Sequence, residues 1–164
     1  MTRKSTRALG SLLLLAGLSL AGGSYAAGPH EHEAHPAHGA VRLQLNAGKK
    51  WETDAALRQS MAQIRQAVDA SRHDIHANKL GTEGYNALAH KVEGEVGNIV
   101  SNCKLEPKAD AQLHLIVADL LAGAEQMAGK AKKAKRRDGA VKVIHALDNY
   151  AKYFDDAQFK PVVH

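Results

Sequence analysis

Between Asp54 and Gln158, apolar residues recur at spacings of three, four and seven, the period of a helix with one buried face, in four separate stretches. The first stretch, about Asp54 to Asn78, aligns Leu57, Met61, Ile64, Val68 and Ile75. The second, about Glu83 to Cys103, aligns Tyr85, Leu88, Val92, Val96, Ile99 and Cys103, with Gly94 and Gly97 flanking the stripe. The third, about Asp110 to Lys130, uses Leu113, Ile116, Leu120, Ala124 and Met127. The fourth, about Asp138 to Gln158, uses Val143, Ile144, Leu147, Ala151 and Phe154. "KLGT" separates the first pair and "KLEPKAD" the second, and Thr53 or Asp54 supplies an N-cap. Four amphipathic stretches joined by short breaks predict an all-α fold, an up-down-up-down antiparallel four-helix bundle over 54–159.

Ahead of the helices, "VRLQL" alternates apolar and polar residues and then meets the turn signal "NAG". A lone strand has no partner, so 41–53 reads as an extended arm laid on the bundle; 160–164 is a short tail. Further forward, residues 1–26 have a basic start (Arg3, Lys4, Arg7), a Gly-interrupted apolar run and small residues at "SYA", the layout of a secretory signal. That run is shorter than the roughly 20 residues a spanning helix needs, and no later stretch approaches this length. The expectation is a soluble exported protein without a membrane span, in a bacterial periplasm, whose mature chain starts near Ala27.

Removing the signal changes the charge. It takes three of the 22 Lys and Arg and none of the 17 Asp and Glu, so the formal charge falls from +5 to +2. A nucleic-acid partner needs a dense cationic face, and only "KAKKAKRR", Lys130 to Arg137, approaches one, without interleaved aromatics. It reads as a solvated helix end and loop, with contact to an anionic partner or membrane face as the alternative. The 4% aromatic content implies a core of aliphatic side chains and alanine. The single cysteine, Cys103, excludes an intramolecular disulfide; burial, a metal or a homodimer linkage are its three outlets.

No enzyme signature is present: there is no phosphate-cradling glycine loop, no "GxSxG" and no "HExxH". Glu93 and Glu95 are read as solvated, off the core stripe. The metal chemistry concentrates instead in 27–40, "AGPHEHEAHPAHGA", a leader without hydrophobic periodicity that reads as disordered. His30, His32, His35 and His38 fall within nine positions, interleaved with Glu31 and Glu33. Imidazoles that are largely unprotonated at neutral pH donate to copper, zinc or nickel. These four histidines form the main candidate metal site.

A secondary candidate lies in the bundle. His114 flanks the third stripe one turn in from the loop after Cys103, and a thiolate with an imidazole suits Cu(I) or Zn(II). Met61, about 10 Å along the first helix from Asp54, is a soft third ligand if that end is compact, and otherwise an ordinary core side chain. His73 and His76, three apart, have a spacing that can hold a metal, but along with His90 and His145 they are placed on the outer face.

The stretches "GKKWETDAALRQSMAQIR", "NCKLEPKADAQLHLIVADLLAGAEQM" and "HALDNYAKYF" resemble an uncharacterised family of small exported four-helix proteins of Gram-negative bacteria. The resemblance covers about residues 41–159 and implies a fold but no activity. The shape is also similar to haem-carrying periplasmic bundles of the cytochrome c-prime type, where Met61 would match a ligand on helix one. There the match ends: "CxxCH" is absent, the position level with Met61 on helix four is near Tyr150, and His145 points outward. The sequence reads as a non-enzymatic periplasmic protein that captures or buffers a transition metal through its leader. A haem-binding electron-transfer bundle is the competing reading, and a structural or partner-binding bundle with an incidental leader is a third.

Overall fold

A computed structural model describes residues 42–162; residues 1–41, 163 and 164 lie outside the described residues, and with them the segments read from sequence as signal and leader. The chain forms four helices, α1 (Ala55–His76), α2 (Thr82–Asn102), α3 (Pro107–Met127) and α4 (Arg136–Tyr153). The fold is all-α. No strand is formed among the described residues, which hold only two isolated β-bridges. None of these helices is long and apolar enough to cross a membrane.

The helix ends follow from local chemistry. Asp54 caps α1, its Oδ1 accepting from Leu57 N at 2.8 Å. At the other end Asn78 takes a left-handed φ of 53° and the chain leaves the helix. Gly81 is the N-cap of α2 and contributes no side-chain bond. α3 starts at Pro107, earlier than the predicted Asp110, because a proline at the first helical position has a suitable φ and lacks only an N–H that would have no partner there. The break after α2 is therefore only Cys103 to Glu106.

α4 stops at Tyr153 rather than near Gln158. Phe154 is extended, with φ −114° and ψ 142°, and forms a parallel bridge with Trp51. Trp51 N donates to Tyr153 O, and Asp155 N donates to Trp51 O, both at 2.8 Å. This pairing gives the last helix carbonyl, Tyr153 O, and the Asp155 N–H partners outside the helix, so the helix need not continue.

The predicted stripes meet in one core. Leu57, Met61, Ile64, Val68 and Ile75 of α1 pack with Tyr85, Leu88, Val92, Val96 and Ile99 of α2, Leu113, Ile116, Leu120, Ala124 and Met127 of α3, and Val143, Ile144, Leu147 and Phe154 of the last stretch. Each large aliphatic side chain buried there is worth roughly 1.5 to 3 kcal/mol of transfer free energy. Ala151 is only half-buried; Tyr150 fills the core beside it, its ring stacked on Phe154 at 5.5 Å and edge-on to Phe159 at 4.9 Å. Trp51, ahead of the first helix, and Val162, in the predicted tail, also belong to this core.

Glu95 corrects the expectation of a solvated carboxylate. It stands three residues after Val92 and four before Ile99, on the core side of α2, and is 8% exposed. Lys91 Nζ donates to it at 2.7 Å and Asn98 Nδ2 at 3.3 Å, and Ser60 of α1 adds a third bond. These partners offset the cost of burying the charge.

α3 and α4 approach closely at a pair of glycines, Gly123 and Gly139. A Cβ on Gly139 would stand 2.6 Å from Gly123 O and 2.7 Å from Met127 N, so the two backbones touch where side chains are missing. The segment before α1 contacts α3 through Gln44, while Leu45 is exposed. Gln44 N donates to Gln112 Oε1 of α3 at 2.7 Å, Trp51 Nε1 donates to Gln44 O, and Leu43 packs on the core. "NAG" reverses the chain through left-handed Ala47 and Gly48, with Asn46 and Lys49 exchanging backbone bonds.

Candidate functional site

The leader residues His30, His32, His35 and His38 lie outside the described residues. The secondary candidates can be placed. Cys103 is the C-cap of α2, partly buried, and it shares a small cleft of about 210 Å³ with Ile99, Asp110, Leu113 and His114. Cys103 and His114 thus line the same cleft. Met61 is fully buried in the core and is not among the residues lining this cleft, so the three do not converge.

Cys103 faces carboxylates. Its thiol donates to Asp54, and burial first, then the negative charges of Asp54 and Asp110, push its pKa up to about 12. A thiol held protonated in this way is a poor metal ligand, because the thiolate is the binding form. His114, with 71% of its side chain exposed, is drawn back along its own helix: its Nδ1 lies 2.8 Å from Asp110 O and 3.4 Å from Asp110 Oδ2.

Asp54 is the centre of this end, a role its sequence position does not announce. Beyond capping α1, its Oδ2 accepts from Lys104 N at 2.6 Å, tying the start of α1 to the chain leaving α2. Burial alone would raise its pKa, but the N–H groups of Leu57 and Lys104, the Cys103 thiol and the charge of Arg58 together hold it below the ordinary carboxylate value.

The other histidines of the bundle stand apart on its surface. His73, His76, His90 and His145 are all exposed, as the 100° helical advance predicts. His73 pairs with Asp74 and His90 with Glu93, each at 3.3 Å. Among the described residues no group of three or more His, Cys, Asp or Glu side chains could hold a metal ion.

The basic run is partly built into the fold. Arg136 Nη1 donates to Met127 O at the end of α3 and to Asn86 Oδ1 of α2 at 2.9 Å; Arg137 Nε donates to Ile75 O near the end of α1 at 3.1 Å. Both guanidinium groups thus satisfy carbonyls at helix C-termini, where a cation is also favoured by the helix dipole. Lys130 reaches Glu93 at 3.1 Å, a contact that, ahead of the opposing effect of burial, lowers the Glu93 pKa. Lys132, Lys133 and Lys135 remain exposed.

No protein-family model, curated protein or solved structure matches the chain.

Proposed function

We propose that the chain is an exported periplasmic protein, not an enzyme, that captures or buffers copper, zinc or nickel through His30, His32, His35 and His38. The observation that carries this reading is the density of the leader, four imidazoles and two carboxylates within nine positions. Imidazoles at this density can donate together to one borderline metal ion.

In this reading residues 1–26 are removed on export, 27–40 form the metal-binding leader and 41–159 hold the arm and bundle, as in the small exported four-helix proteins that the sequence resembles. The helices run up-down-up-down. That direction is supported by Arg137, at the start of α4, reaching Ile75 at the end of α1, and by Lys104, just past α2, reaching Asp54 just before α1.

Metal analysis of untagged protein from its native periplasm tests the assignment. It should show copper, zinc or nickel at near-stoichiometric amounts. His30→Ala combined with His35→Ala should weaken Cu(II) binding at least about tenfold, and more than Glu31→Gln combined with Glu33→Gln, because carboxylates are weaker ligands for these metals. Metal-free isolates whose Cu(II) affinity ignores the histidine pair would overturn the reading.

A further inference from the structure

A cleft of about 740 Å³ opens at the end of the bundle where α1 passes to α2 and α3 to α4. Gly81, Thr82 and Tyr85 line one side; Lys135, Arg137 and Asp138 line the other. Arg136 borders it too, but its guanidinium is held by Met127 O and Asn86.

Three features of the cleft agree. The first is the start of α2, a 21-residue helix whose N-cap, Gly81, makes no side-chain bond, so the first amides keep donors without intrahelical acceptors at the positive end of the dipole. The second is Tyr85. It is 5% exposed, yet its hydroxyl has no hydrogen-bond partner among the described residues, which is uncommon for a buried polar atom. Burial raises its pKa, with Arg137 opposing and Asp138 reinforcing, so it stays a protonated donor beside both charges. The third is Arg137, whose Nε bond to Ile75 O anchors the guanidinium, while its two Nη groups, with no hydrogen bond among the described residues, form a planar fork of donors.

We propose that this cleft binds inorganic phosphate, with the Tyr85 hydroxyl, the Arg137 guanidinium and the first amides of α2 as donors. Asp138 decides which oxyanion fits. Its exposed carboxylate repels a bare dianion such as sulfate, whereas hydrogen phosphate carries an O–H that can donate to it. Lys135 adds a second, solvated cation at the rim. The proposed donors include no residue of 27–40, and the site does not rest on the metal-binding reading.

The test is a titration of the whole mature chain with inorganic phosphate in metal-free buffer, followed at the backbone amides by NMR. Saturable shifts should centre on Thr82 to Gly84 and the Arg137 side chain, with sulfate far weaker. Tyr85→Phe should weaken phosphate roughly tenfold, the size expected for one hydrogen bond to a charged group. Because it removes a single oxygen, its melting temperature without phosphate reports separately that the fold is kept. Asp138→Asn should narrow the gap between phosphate and sulfate. No saturable shift up to about 10 mM phosphate, a response that Tyr85→Phe leaves intact, or one that sulfate reproduces at equal concentration would each overturn the proposal.

Discussion

At Asp54 one carboxylate closes two segments fifty residues apart, accepting from Leu57 N inside its own helix and from Lys104 N beyond α2. Losing both bonds and exposing the Cys103 thiol should make Asp54→Ala cost roughly 1 to 3 kcal/mol at neutral pH. The pH dependence has a definite sign. The folded pKa is depressed, so this stabilisation is fully present above the ordinary value of about 3.9 and is lost as pH falls through the folded value. Urea unfolding at pH 7 and pH 3 should show the gap between the two proteins shrinking at the lower pH; an equal gap would mean the charge of Asp54 plays no part. Cys103 belongs to the same set. With its thiol donating to Asp54 and its pKa pushed up to about 12, native protein should react with thiol reagents far more slowly than the urea-unfolded chain, and Asp54→Ala should speed the reaction. Native labelling as fast as in urea would contradict this account. That Cys103 and His114 line one cleft follows from their positions beside one loop. The hold of Asp54 on Lys104 and Cys103 was not legible in the sequence, because a contact between positions so far apart in sequence depends on how the helices dock.

For whole elements, the stripes were the readable part. A period near 3.6 singles out Leu57, Met61, Ile64, Val92, Leu120 and Leu147 without any knowledge of their neighbours, and all are buried. Helix ends were harder, since α4 ends where Trp51 bonds Tyr153 O and Asp155 N on either side of Phe154, and Trp51 lies far back in the sequence. Glu95 was misread because its residue type outweighed its position; three after Val92, it follows the stripe, and its partners Lys91, Asn98 and Ser60 make burial tolerable. The glycine contact between α3 and α4 gave no periodic signal either. It is testable by addition: a methyl at Gly139 would press on Gly123 O and Met127 N, backbone atoms that cannot rotate away. Gly139→Ala should therefore lower stability by roughly 1 to 3 kcal/mol despite the better helix propensity of alanine. Thermal unfolding checks this, and a stabilised variant would show that the helices can separate at little cost.

In the molecule as a whole, a bundle with an aliphatic core, its histidines spread over the surface, is joined in sequence to a segment in which imidazoles are crowded together. In the proposed reading the core supplies stability without metal, and metal uptake is assigned to the leader alone. The two should then respond independently. The pH response belongs to the leader as well: its affinity should fall as pH drops through about 6.5, where protons compete for the imidazoles. The most direct measurement is a calorimetric titration of Cu(II) or Ni(II) into the mature chain and into a chain lacking residues 27–40, with the metal-free melting temperature of each. The account predicts that the truncated chain loses metal uptake and keeps its helicity and melting temperature; a truncated chain that binds as much metal as tightly as the mature one would contradict it.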